Sequence, residues 1–173
     1  MYKKVDANLN FVDREKQIEK FWNDNDIFKK SMEHRKEGET YTFYDGPPTA
    51  NGKPHIGHVE TRTIKDMIPR YQTMKGKMVP RKAGWDTHGL PVELSVEKAL
   101  GITKEDIGKK ISVADYNAAC RKDVMKYTKE WEDLTHRMGY WVDMKHPYIT
   151  YDNRYIETLW WLLKQLHKKG LLY

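Results

Sequence analysis

Tyr44-Asp45-Gly46-Pro47-Pro48-Thr49-Ala50-Asn51-Gly52-Lys53-Pro54-His55-Ile56-Gly57-His58 is a rigid turn, rich in glycine and proline, that ends in two histidines where a helix starts. Upstream, Thr40-Tyr41-Thr42-Phe43-Tyr44 is β-prone. Downstream, Ile56, Val59, Thr63 and Met67 with Ile64, Ile68 and Tyr71 make a helical stripe to about Lys75. A strand, a loop and a helix start is the arrangement at which a doubly wound sheet binds ligands. His55 and His58 fall on one side of that helix start. The free N–H groups and partial positive charge there favour phosphate and disfavour a second cation, so both rings are expected to donate as neutral groups. Gly57 lets a nucleotide lie close to the backbone. Pro47, Pro48 and Pro54 fix the loop before ligand arrives, which lowers the entropy lost on binding.

Working outward, Pro69 is expected to kink the helix and Gly76 to stop it. Lys77-Met78-Val79-Pro80-Arg81-Lys82-Ala83 then reads as a second strand parallel to the first, with Pro80 pointing to an edge position or a strand start. Gly84-Trp85-Asp86-Thr87-His88-Gly89-Leu90-Pro91 follows at its C-terminal end, and Pro91 opens a helix through Leu100 that Gly101 closes. Both loops therefore lie on one rim of the sheet. On the N-terminal side, Asp13 reads as the cap of a helix carrying Ile18, Phe21, Trp22 and Phe28, with residues 31–39 as a loop. Ser112 and Asp115 form a capping box. Beyond it Tyr116, Cys120, Val124, Tyr127, Trp131, Leu134 and Met138 predict one long helix, with Cys120 as a core residue and the aromatics as core rather than a base-stacking platform. A last helix from Asp152 carries Tyr155, Leu159, Leu162, Leu163 and Leu166 to Lys168-Lys169-Gly170, and Leu171-Leu172-Tyr173 reads as the opening of another strand.

A chain of 173 residues with 39% hydrophobic content supports one domain with a modest core. Its 31 basic and 25 acidic residues leave a charge of +6, spread without a dense block, which suits an RNA partner but equally describes a solvated surface. The apolar run Leu159-Trp160-Trp161-Leu162-Leu163 falls far short of the roughly 20 residues that cross a bilayer, and the polar N-terminus reads as a soluble, uncleaved start. One cysteine excludes an internal disulfide and fits a reducing, cytoplasmic setting. A zinc site built on His55, His58 and His88 or Asp86 lacks the usual companion motifs, so no metal ligands are assigned.

His55-Ile56-Gly57-His58 resembles the signature of class I aminoacyl-tRNA synthetases. With Gly46-Pro47-Pro48-Thr49-Ala50-Asn51-Gly52 before it and Gly84 to Pro91 after it, the match narrows to the isoleucyl family and extends, more loosely, from about Phe11 to Tyr173. Thr49 and Thr87 stand where many bacterial members carry a bulkier aromatic and a cysteine. The resemblance implies an α/β fold, the first half of a Rossmann-type parallel-sheet catalytic domain. Residues 1–38 would form a flanking helix and loop and 39–173 the N-terminal half of that domain, with the editing domain and second catalytic half absent and the rest of the synthetase chain expected in the native protein.

The family's activity would be ATP-dependent activation of L-isoleucine to isoleucyl-adenylate and transfer to tRNA(Ile), with Mg²⁺ arriving bound to ATP. By resemblance His55 and His58 are the catalytic pair. Pro48, Asn51, Gly52, His55, Gly57 and His58 surround ATP, although Asn51 and Gly52 read first as turn-shaping residues. Gly46 and Pro47 line the amino-acid pocket, and Asp86 takes the ammonium group, against a bland role as a helix cap. Alone, the chain is expected to bind ATP and isoleucine weakly, to aminoacylate slowly or not at all, and to self-associate through an unpaired sheet edge. Competing readings are a synthetase for another aliphatic amino acid, a small nucleotidyltransferase with a His-x-Gly-His site, and a non-catalytic RNA-binding module.

Overall fold

The computed structural model describes residues 2, 4 and 7–173. The chain divides into two compact units. The first takes in residues up to Phe43 with Ile56–Pro80 and Asp133–Trp141, and the second takes in Tyr44–His55, Arg81–Glu132 and Val142–Tyr173.

In the first unit, α1 (Phe11–Asp24) is capped by Asn10, whose side chain accepts from the Val12 and Asp13 N–H groups at 3.0 and 3.4 Å. The expected cap, Asp13, sits instead in the first turn, where its charge complements the helix dipole. Phe28 belongs to a separate short helix, α2 (Ile27–Glu33), because Asp26 adopts φ 50° and breaks the path; this helix also takes the start of the expected 31–39 loop. The long helix α3 (Ile56–Met74) runs through a buried Pro69 as a single element and ends before Gly76, at φ 89°. Two arginines bind α3 to the segment 133–141. Buried Arg62 donates to Thr135 Oγ1 at 2.8 Å and lies 4.7 Å from the Tyr140 ring centroid. Arg70 pairs with Asp66, donates to the Gly139 carbonyl and lies 4.1 Å from the Trp141 ring, which packs edge-on against Trp22. Stacking of guanidinium on desolvated aromatics adds attraction beyond area burial.

The three strands β1 (Phe43–Tyr44), β2 (Arg81–Trp85) and β3 (Asp143–Ile149) form one sheet in the order β1-β2-β3. Along β1 the pairing is parallel, as expected, with N–H donors at Tyr41, Phe43 and Asp45 reaching the carbonyls of Met78, Pro80 and Lys82 at 2.8 to 2.9 Å. The second strand begins later than predicted and takes in Gly84 and Trp85, because those residues pair with Tyr148 and Ile149 of β3. Pro80 precedes this strand, which is central, so its reading as a strand start holds and its reading as an edge does not. Pairing to β3 begins only at Lys82, where no donor is missing.

In the second unit α4 (Leu90–Leu100) closes at Gly101 as expected, and Ser112 caps α5 (Val113–Val124) through the Asp115 N–H. The predicted long helix is two: α5 stops at Val124 and α6 (Thr128–Arg137) follows. The break has a cause, since the Tyr127 N–H donates to the Ala50 carbonyl at 2.9 Å and so leaves the helical ladder. Cys120 is half-buried rather than core, and burial pushes its thiol up, away from reactivity. The last helix, α7 (Asn153–Lys168), is capped by Asp152 as read from sequence, but residues 171–173 form no strand. No helix among the described residues is long and apolar enough to cross a membrane.

Candidate nucleotide and amino-acid site

The loop after β1 is held by its own backbone. The Pro48 carbonyl accepts the Asp86 N–H at 3.0 Å, and Thr49 bridges Asp86 in parallel register. Ala50, 0% exposed, forms a core with Trp85 and Trp131, and its carbonyl takes the Tyr127 N–H. The Gly52 carbonyl accepts the Trp131 indole N–H at 2.9 Å. Four carbonyls between Asp45 and Gly52 are thus held by partners up to a hundred residues away, counting the Asp45 carbonyl, which accepts the Tyr148 hydroxyl at 2.5 Å. Each such bond adds about 0.5–1.5 kcal/mol and, more to the point, fixes the loop in one shape.

The loop after β2 is held as firmly. Thr87 and Thr150 are both buried; the Thr87 N–H donates to Thr150 Oγ1 at 2.9 Å, the two hydroxyls share a 2.8 Å bond, and the Tyr151 N–H donates to Thr87 Oγ1. The Trp85 carbonyl accepts the Thr150 N–H. Asp86 therefore sits half-buried between a strand end and the first loop, and it does not cap the following helix, whose N-cap is Gly89. Among the predicted residues Gly46, Pro47, Pro48, Asn51, Gly52, His55 and Asp86 share this second unit, where the structure brings the Pro48–Thr49 backbone directly to Asp86.

His55 is exposed and immediately precedes α3; Gly57 and His58 lie in the first turn of that helix, in the first unit, and are half-buried. Among the described residues no group of three or more His, Cys, Asp or Glu could hold a metal ion. Two contributors escaped the sequence reading. Tyr148 lies on the unpredicted strand β3 with its phenol pushed up to about 12, first by burial and then by the negative charges around it, with Asp45 ahead of Tyr155 and Asp86. It remains a neutral donor. Trp131 was read only as core, yet a buried indole N–H needs an acceptor, and that need was the available signal.

Residues 17–173 match the family described as tRNA synthetases class I (I, L, M and V). The isoleucine–tRNA ligase of Bacteroides thetaiotaomicron is 78% identical over 158 residues, covering 91% of this chain and 14% of that protein. The isoleucine–tRNA ligase of Clostridium kluyveri is 58% identical over all 173 residues and 17% of its own length. This chain thus spans about a sixth or less of the relatives it matches. A LeuRS of Agrobacterium radiobacter K84, solved as a ternary complex with tRNA and LeuAMS, superposes with a TM-score of 0.64 at 22% identity over 92% of this chain and 18% of that one, which speaks to fold. By the match of nearly its whole length to the family and by these identities, the chain belongs to the class I tRNA synthetases of the I, L, M and V group.

Proposed function

We propose that this chain is part of an isoleucine–tRNA ligase and carries its ATP-signature helix start and its amino-acid ammonium group partner. The observation that carries the reading is the bond from the Asp86 N–H to the Pro48 carbonyl, which ties the loop after β1 to the loop after β2 within the second unit, at the C-terminal ends of parallel strands. In this reading residues 1–38 flank the N-terminal half of the catalytic domain in residues 39–173, and the protein works in the cytoplasm.

The reaction joins a carboxylate oxygen of L-isoleucine to the α-phosphorus of ATP. The bond from that phosphorus to the bridging oxygen of the β-phosphate breaks, and its electron pair leaves with pyrophosphate. The carboxylate is already ionised, so no general base is needed; the work is positioning and charge stabilisation. His55 and His58 donate to phosphoryl oxygens, Gly57 allows close backbone approach, and Pro48, Asn51 and Gly52 shape the loop around the nucleotide. Asp86 pairs with the ammonium group, where partial burial strengthens a charge-assisted bond, and Gly46 and Pro47 wall the pocket. Mg²⁺ bound with ATP, as part of the substrate, would supply charge neutralisation for the pyrophosphate. The ribose hydroxyl of tRNA(Ile) then attacks the acyl carbon, the bond from that carbon to the phosphate oxygen breaks, and AMP leaves with the electron pair while the hydroxyl proton passes to solvent or to its phosphate.

Isothermal titration with non-hydrolysable isoleucyl-, valyl- and leucyl-adenylate analogues tests this. Expected is tightest binding of the isoleucyl compound, weakened about tenfold or more by Asp86→Asn. Equal heats for all three would point to another aliphatic substrate, and ATP binding indifferent to the amino acid would point to a nucleotidyltransferase. tRNA binding that survives both His55→Ala and Asp86→Ala would point to an RNA-binding module.

A further inference from the structure

We infer that Tyr148 is a positioning residue for amino-acid binding: from β3 it sets the direction of the Asp45–Gly46 peptide, and through it the placement of Gly46 and Pro47. The inference rests on the reading that Gly46, Pro47 and Asp86 receive the amino acid. Four contacts hold this side chain, one of them the Tyr44 ring, with centroids 5.9 Å apart and planes at 47°. Its hydroxyl donates to the Asp45 carbonyl at 2.5 Å. Its ring crosses the face of Gly84 so closely that a Cβ there would meet ring carbons at 2.3 Å, so the glycine of the second motif is small because this ring occupies its side-chain space. Beyond Gly84 the ring stacks on Tyr155, with centroids 5.9 Å apart and planes 9° from parallel.

The consequence is specific. Asp45 is buried, its N–H is bonded to the Lys82 carbonyl and its carbonyl accepts the Tyr148 hydroxyl, so that hydroxyl bears directly on the orientation of the Asp45–Gly46 peptide. Pro47 has a fixed φ, so a reorientation of the Asp45–Gly46 peptide is either absorbed at Gly46 or carried into Pro47, the two residues assigned to the pocket wall. The anchors at Pro48, Ala50 and Gly52 lie downstream of this peptide. The raised phenol value keeps the donor protonated throughout the neutral range.

Tyr148→Phe keeps the ring against Gly84 and Tyr155 and deletes only the donor. Titrated with the isoleucyl-adenylate analogue, the variant should bind about tenfold more weakly, while a non-hydrolysable ATP analogue alone binds within about twofold of wild type. Amide exchange should quicken at Gly46 and not at Ala50. Loss of both affinities in proportion would mark a merely structural role and overturn the inference, as would unchanged affinity for the isoleucyl compound. A wild-type chain that binds no isoleucyl analogue would overturn the amino-acid reading and this inference with it, whereas wild-type binding fully retained by Tyr148→Phe overturns this inference alone. Should Tyr148→Phe fold poorly, Tyr148→His, which retains a ring donor, serves as the second variant, with affinity intermediate between the two expected.

Discussion

Two helices carry tryptophans of the second unit on apolar stripes, and the tryptophans meet opposite fates. Trp131 on α6 is 2% exposed, packed on Ala50 and Trp85 with its indole N–H satisfied by Gly52. Trp160 and Trp161 on α7 are 71% and 60% exposed, and α7 has no buried residue at all. Hydrophobic patterning alone makes both helices look like core elements. What separates them is a partner: the loop Asp45–Gly52 offers α6 an apolar seat and an acceptor carbonyl, and α7 meets no such seat among the described residues. The candidate site is therefore supported by this chain's own contacts, independently of what covers α7.

The largest test of that contrast is truncation on each side of it. Trp131→Ala removes a fully buried ring and strands the Gly52 carbonyl, and should cost about 3–5 kcal/mol in urea unfolding. Trp160→Ala should change stability by no more than about 0.5 kcal/mol. Equal losses would break the comparison.

Next in size is Gly84→Ala. A Cβ at 2.3 Å from a ring that is pinned by its hydroxyl and by Tyr155 forces a shift, and about 1–3 kcal/mol of destabilisation is expected. The same substitution made in a Tyr148→Ala background should cost much less, and a double-mutant cycle reads the difference. Additive losses would show that something other than the ring fills the space beside Gly84.

Thr87→Val sharpens the comparison from the other loop. It removes a hydroxyl that serves both Thr150 and Tyr151 while keeping the side chain's shape, and should cost about 1–2 kcal/mol by thermal unfolding. Thr87→Ser should restore most of that. A neutral Thr87→Val would mean that the end of β3 is held by its backbone bond to Trp85 and by the residue 87 N–H on Thr150, without the hydroxyl.

How much of this was legible beforehand follows from distance along the chain. The strand, loop and helix around residues 40–75 are local, and turn residues, period and caps announce them. The cap at Ser112 and the stop at Gly101 are local as well, and the structure keeps both, with the Asp115 carboxylate accepting from the Ser112 hydroxyl in place of the backbone bond that would complete the box. β3 was invisible because it carries a register shift: Lys82 faces Asp143 but Gly84 faces Tyr148, and the extra residues fold around the Asp143 side chain, which accepts from the Lys145 and His146 N–H groups. That bulge erases the alternation by which a strand is recognised. The break between α5 and α6 was equally hidden, since its cause is the carbonyl of Ala50, far upstream. Tyr148 and Arg62 belong to the same class, with partners that only the fold brings near. The pairing of Asp86 with the first loop was legible only as a shared rim of the sheet, and the bond that makes it rigid was not.

The smallest effect expected is in alkaline stability, and it probes the charges around the loop rather than its packing. The phenols of Tyr148 and Tyr116 are both raised from 10.0 to about 12, in each case first by burial, so the folded protein keeps protons that the unfolded chain gives up between those values. Their contribution to stability is complete below pH 10 and drains away as pH climbs toward about 12. Tyr148→Phe should flatten that decline, and Tyr116→Phe, on α5, should flatten it independently. Asp86→Asn should act in the same direction as Tyr148→Phe but more weakly, because the Asp86 charge stands behind burial, Asp45 and Tyr155 among the causes that hold the Tyr148 proton. Urea unfolding followed at closely spaced pH values reads all three slopes. If Asp86→Asn left the slope untouched while Tyr148→Phe flattened it, the carboxylate would lie outside the field of the tyrosine that holds the loop, and the two motifs would share a backbone bond without sharing an electrostatic environment.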